Sequence, residues 1–185
     1  MSTLININNT YNPYTQTGGL FAQTDSSNPV VNTIIETTII NGGVGSLSVP
    51  ANSFKVGDSF NATLSGILSA NNNNTLRLRV KSGVVVFGDT GIITLPSITN
   101  KFFDLYIHFT VRSIGVAGVS SIATSGQLTY SKNASNAFEG ADFVTINSTT
   151  FDTTIGNTLN ITAEWGTASL TNSISTEVFV LNKIY

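Results

Sequence analysis

The stretch Thr75-Leu76-Arg77-Leu78-Arg79-Val80-Lys81 changes character at every second residue. Side chains of an extended strand alternate faces, so Leu76, Leu78 and Val80 fall on one side and Arg77, Arg79 and Lys81 on the other. The pattern returns between residues 102 and 112. There Phe103, Leu105, Ile107, Phe109 and Val111 share a face, while Asp104, Tyr106, His108, Thr110 and Arg112 make up most of the opposite one. Strict alternation of this kind predicts half-buried antiparallel strands.

Outward from these two stretches the same reading holds for most of the chain. Strands are expected over residues 30–40, 44–49, 60–68, 75–81, 84–87, 92–95, 102–112, 120–131, 157–165 and 173–185. Pro, Gly and Asn separate them, including the loop tip of four asparagines at 71–74. No segment holds a helical period, and no internal repeat is present. The connections after Ser131 read as too long for hairpins, and the Cys…Trp…Cys frame of immunoglobulin domains is missing. The expected fold is therefore all-β, a single jelly-roll sandwich of about eight antiparallel strands over residues 30–185. Residues 1–29 are rich in Asn, Thr, Tyr, Gly and Ser and poor in apolar side chains. They read as an irregular N-terminal arm that orders against a neighbouring subunit.

Composition narrows the function. At 185 residues the chain can bury a core, and 41% of it is hydrophobic, yet only 10% is charged. Ordinary soluble domains carry roughly 25% charged residues. The surface is thus uncharged and polar, weakly protected against association. A net charge of −2 gives no general attraction to nucleic acid or anionic lipid. No cysteine is present, so disulfides and thiol chemistry are excluded. The N-terminus lacks the layout of a signal peptide, and no apolar run approaches the roughly 20 residues that cross a bilayer.

Little in the chain reads as catalysis. Asp89-Thr90-Gly91 follows an apolar run, as in homodimeric aspartic proteases, where two such carboxylates share one proton. The Gly-Arg pair that accompanies the motif in those enzymes is absent, and Asp-Thr-Gly is also good turn chemistry. Glycosidase-like pairing would have to come from Asp104, Glu139, Asp142, Asp152, Glu164 and Glu177, whose spacing brings no two together. His108 is the sole histidine, on the polar face of its strand, where a cross-strand partner is its expected role. The glycine clusters at 42–45 and 115–118 precede no helix and match no nucleotide-binding loop, so no cofactor is expected. Six Asn-x-Ser/Thr triplets, at Asn8, Asn61, Asn73, Asn133, Asn147 and Asn160, fit the Asn- and Thr-rich composition. Trp165 closes an alternating run and reads as core. The row Arg77, Arg79, Lys81 is the main basic cluster. With Asp104 and Arg112 it forms the candidate subunit interface, orienting adjacent copies through charge.

Several runs carry a resemblance: Ser46-Leu-Ser-Val-Pro-Ala-Asn-Ser-Phe-Lys-Val-Gly-Asp58, Leu76-Arg-Leu-Arg-Val80, Phe109-Thr-Val-Arg-Ser-Ile-Gly115 and Thr150-Phe-Asp-Thr-Thr-Ile-Gly-Asn-Thr-Leu-Asn-Ile-Thr162. Over about residues 46–165 the chain resembles single jelly-roll virion proteins, of penton or minor capsid type, from large icosahedral double-stranded DNA viruses. Related domains occur in phage tail fibres. The resemblance implies a capsid protein made in the host cytoplasm and closing the shell at its vertices. Its expected partners are itself, as a pentamer rather than a trimer, the major capsid protein and other minor capsid proteins. Neither nucleic acid nor membrane insertion is expected. The competing class is a trimeric receptor- or glycan-binding spike or fibre jelly roll, and a homodimeric protease using Asp89 comes last. A capsid role carries the expectation of no ligand pocket, and an adhesin that of exposed aromatics at loop tips.

Overall fold

The computed structural model describes residues 18–133 and 137–185. Alternating burial runs along its backbone as the sequence pattern requires. The inward side of Ile98–Ile114 carries Phe103, Leu105, Ile107, Phe109 and Val111, none more than 7% exposed. Leu76, Leu78 and Val80 point inward in the same way, and Arg77, Arg79 and Lys81 point out.

Fourteen strands and no helix occur among the described residues. In chain order they are β1 (Gly18–Gln23), β2 (Val30–Val31), β3 (Thr37–Thr38), β4 (Gly43–Gly45), β5 (Ser48–Val49), β6 (Ser59–Ala70), β7 (Asn74–Ser82), β8 (Val85–Asp89), β9 (Ile93–Leu95), β10 (Ile98–Ile114), β11 (Val119–Ser131), β12 (Phe138–Asp152), β13 (Asn157–Trp165) and β14 (Ser173–Lys183). They build two antiparallel sheets. Sheet I has the order β12-β11-β10-β6-β14-β1-β4, with β2 on β14; sheet II has β3-β13-β7-β8, with β5 on β13 and β9 on β7. The inner faces meet in one core, where Trp165, Phe103, Phe151 and Phe179 are nearly or wholly buried. The buried Trp165 indole donates to the Val30 carbonyl at 2.9 Å, which removes the penalty of an unpaired N–H.

An all-β body of two antiparallel sheets is as expected, but four local expectations are corrected. Residues 30–40 are not one long strand. The chain leaves β2 on sheet I through Asn32, at φ 51°, exposes Ile34 and Ile35, and reaches sheet II at β3. Residues 44–49 likewise split into β4 on sheet I and β5 on sheet II, with Gly45 at φ 98° between them. In the first place exposed β-branched residues serve a crossing, and in the second Val44 and Val49 stay in ladders on either side of one. The third correction is β12, where a long connection was expected. Its apolar residues lie on both faces, Phe143 and Phe151 inward and Val144 and Ile146 outward, which hides the period-two signal. The last concerns the arm. Residues 1–17 lie outside the described residues, but β1, inside the expected arm of 1–29, pairs with β14 and β4 and buries Phe21.

Candidate functional site

The outer face of sheet II carries Arg77, Arg79 and Lys81, each already partnered within the chain. Arg77 donates through Nε to both oxygens of Asp89, at 2.9 and 3.1 Å, and through Nη2 to Oδ2. Arg79 Nη1 lies 2.6 Å from Glu164 and 3.0 Å from Glu36, and Lys81 Nζ lies 3.0 Å from Glu36. The ladder makes these contacts, since β13 pairs Glu164 with Arg77 and Thr162 with Arg79. Three cations thus face three carboxylates. Burial pushes the carboxyls of Glu36 and Asp89 up. Hydrogen bonds from Thr162 and Lys81 on Glu36, and from Arg77 and the Gly91 N–H on Asp89, together with the nearby cations, outweigh it and hold both below the usual range. The Asp-Thr-Gly segment is a turn: Gly91 sits at φ 66°, and its N–H donates to Asp89 at 2.8 Å. A carboxylate committed to Arg77 is not poised to share a proton with a second aspartate.

Asp104 and Arg112 belong to sheet I and lie on the opposite side of the sandwich, so the five expected interface residues are not brought together. What β10 presents there is a ladder of Phe102, Asp104, Tyr106 and His108, spaced about 7 Å apart along the strand. Phe102 is 48% exposed and Tyr106 40%. The rings of Tyr106 and His108 meet edge to face with centroids 4.5 Å apart. In register beside Asp104 stand Ser65 of β6 and Thr129 of β11; beside Tyr106, Thr63 and Gln127; beside His108, Asn61 and Ser125. Asp142 of β12 stands opposite Gln127. The strip of rings therefore runs through a field of hydroxyls and amides.

Asp104 is the odd group in this field. Among the described residues no cation or hydrogen-bond donor reaches its carboxylate, and partial burial raises its pKa above the ordinary aspartate value. Asp142 has no side-chain partner among the described residues either, but it is exposed; the remaining acids of the outer surfaces are engaged. Glu139 is bound by Lys132 and by the Tyr130 hydroxyl, Asp152 by Thr154, Glu164 by Arg79 and Glu177 by Ser26. An acceptor held half out of water between two exposed rings suits a ligand that offers O–H donors beside apolar C–H faces.

No family model matches this chain, and no curated protein matches it. Among solved structures it is similar to the CBM2 module of the evolved Dit of Lactobacillus casei BL23 phage J-1. The identity is 12% and the TM-score 0.29, with 73% of this chain and 66% of that one covered. The chain thus spans a little under two thirds of that module.

Among the described residues no group of three or more His, Cys, Asp or Glu could hold a metal ion, and no helix is long and apolar enough to cross a membrane. Alternation had already set Asp104, Tyr106 and His108 on one face. It did not single out Phe102, which continues that face at the edge of the pattern. Nor could it show that Asp104 lacks a partner, because that depends on which residues the neighbouring strands bring alongside.

Proposed function

We propose that this chain is a non-catalytic binding domain of a virus particle that holds neutral glycans on the outer face of sheet I. The observation that carries this reading is the Asp104 carboxylate, without a partner among the described residues, between the exposed rings of Phe102 and Tyr106. A sugar supplies hydroxyl donors for the carboxylate and C–H faces for the rings. Asn61, Thr63, Ser65, Gln127 and Thr129 supply further uncharged partners in register. The virion setting rests on the resemblance stated for residues 46–165, and the assembly proposed with glycan binding is a trimeric tip, not the pentamer that the resemblance implies.

The fold proposed for this role is a single jelly roll, enlarged on one side. Such a fold is one long antiparallel hairpin rolled into two sheets. Its nested pairs have counterparts here in β1·β14, β3·β13, β6·β10 and β7·β8, and the rolled neighbours in β14·β6 and β13·β7. The β11–β12 hairpin then widens sheet I beyond β10, beside the ladder.

The test is a glycan array followed by titration calorimetry on the best binder. Asp104→Asn should weaken binding about ten- to a hundredfold, the range of a hydrogen bond to a charged group. An array with no glycan above background, or binding indifferent to Asp104→Asn and Tyr106→Ala together, would overturn the reading.

A second reading, the pentameric vertex protein, is favoured by β12. This 15-residue strand ends sheet I with no ladder partner on its far side among the described residues, and it exposes Phe138, Val144 and Ile146. A long unpaired edge is a template for a neighbouring chain. Electron microscopy of the particle separates the two readings, by a ring of five at the vertices or a trimer at the tip of a spike.

A further inference from the structure

Between the sheets, where β6 begins and β14 ends, lies a cavity of about 460 Å³. Voids in a packed core are normally smaller than this by far, and the volume falls among those of small-molecule sites. Five phenylalanines line it, and their contacts close on themselves. Phe54 meets Phe60 with ring centroids 6.2 Å apart, Phe60 stacks on Phe109 at 4.9 Å, Phe109 meets Phe87 at 5.6 Å, Phe87 meets Phe151 at 5.8 Å, and Phe151 returns to Phe54 at 5.5 Å. Each ring is braced by two others, so the belt is preorganised rather than collapsed into the space beside it.

One wall breaks the apolar lining. Asp58 and Lys183 both face the cavity, 9% and 5% exposed at their side chains, with Nζ 2.7 Å from Oδ1. The Lys55 N–H also donates to Asp58, at 2.8 Å. Ser82 donates to Asn157 at 3.0 Å, and Asn157 in turn to the Asp152 carbonyl at 2.8 Å, so these two wall groups are also engaged. For stability alone an apolar pair would serve at least as well as a buried ion pair. Water would find partners along this wall and at the serines of residues 46–53, and none over the belt. Residues 45–50, from the end of β4 through β5, form a thin strap that is another part of the wall. Gly45, Ser46, Ser48 and Pro50 line the cavity on one side of it and are exposed to solvent on the other.

We propose that this cavity binds a neutral amphiphile, an apolar chain against the phenylalanine belt and an uncharged hydroxyl head at the Asp58–Lys183 pair. The pair is neutral as a unit, and a hydroxyl matches both halves: it accepts from the ammonium and donates to the carboxylate. An ionised carboxylate head would meet Lys183 favourably but would bring a second anion against Asp58, with its own desolvation to overcome. An alcohol should therefore bind better than the fatty acid of the same length. The site is separate from the outer face of sheet I, and neither depends on the other.

The experiment uses the full chain and the neutral fluorophore 1-aminoanthracene, whose emission rises in an apolar site. Uptake should be saturable, with 1-dodecanol displacing the probe at a concentration about tenfold below that of dodecanoate at pH 8, a difference of roughly 1.4 kcal/mol. Val49→Phe, which adds a ring to the cavity wall, should abolish uptake while the protein stays folded. Should that variant fail to fold, the native chain decides, since a ligand of the folded state raises its melting temperature. No uptake, uptake unchanged in a folded Val49→Phe, displacement by dodecanoate as good as by dodecanol, or no rise in melting temperature with dodecanol would each overturn the proposal.

Discussion

The two outer faces of this sandwich are built from the same kind of strand and spend their polar residues in opposite ways. On sheet II, Arg77, Arg79 and Lys81 stand among Glu36, Asp89 and Glu164, and the six side chains satisfy one another. On sheet I, Asp104 stands between Phe102 and Tyr106 with no donor upon it among the described residues. A face whose charges are consumed internally has little to offer a ligand. The partly desolvated carboxylate of the other face carries a penalty that a donor would offset, and its exposed rings would gain from leaving water. Charge density alone would choose sheet II. What distinguishes them is whether the charge is already answered.

The largest expected effect lies on the strand that carries the ladder, but on its inward side. Phe103→Ala should cost about 3–5 kcal/mol, as for other large-to-small changes in a full core, measured by chemical denaturation. Tyr106→Ala, three residues on and facing outward, should leave the denaturation midpoint near that of the parent and remove glycan binding. If both variants lose stability equally, the outward ladder is structural and the contrast between the faces fails. Next in size is Asp104→Asn, whose ten- to hundredfold loss in glycan affinity should come without loss of stability.

Much of this contrast was legible before the fold. The alternation at 75–81 and around Phe103 assigned inward and outward residues correctly, because a half-buried strand leaves its register no freedom. The partners of the outward residues were not legible. Glu36 sits in an irregular stretch that was read as strand, and it reaches Lys81 and Arg79 only because residues 32–37 carry the chain from one sheet to the other. The cavity was hidden for a similar reason. Phe109 read as core, and nothing in the spacing of Phe54, Phe60, Phe87, Phe109 and Phe151 says that five touching rings line one space. The strand β12 was missed because an edge strand with apolar residues on both faces has no clean period.

Sheet II can be challenged through Glu36, which accepts from Lys81 and Thr162 and pairs with Arg79. Glu36→Gln should destabilise the protein by about 2 kcal/mol, the usual worth of charge-assisted hydrogen bonds, and leave glycan affinity unchanged. The same geometry speaks against reversing Arg79 to glutamate as a harmless probe of subunit contacts. That change would set a new carboxylate against Glu36 and Glu164 and weaken the fold itself. An unaltered melting curve for Glu36→Gln would show that the network is ornamental and that its cations are open to a neighbouring copy.

The smallest effect is the most diagnostic, because acid should act on the two faces with opposite sign. Glu36 and Asp89 titrate below their ordinary values in the folded protein, so their stabilisation is complete above the unfolded values, 4.5 and 3.8, and is lost as pH falls through the lowered ones. Asp104 titrates above 3.8 when folded, so the folded chain holds that proton more tightly than the unfolded one. Its contribution is present below 3.8 and is lost as pH rises through the raised value. Asp104→Asn should therefore match the parent in acid and be slightly more stable at neutral pH, by less than about 1 kcal/mol for a change at the surface. Glu36→Gln should do the reverse, its deficit shrinking as acid removes the network from the parent. Glycan affinity should fall on acidification at a pH above the ordinary aspartate value, where Asp104 takes up its proton. Thermal melts of the three proteins across this range, with calorimetry at each pH, read both signs at once. A neutral-pH deficit in Asp104→Asn would mean that the carboxylate has a partner in solution, and the two faces would no longer differ in kind.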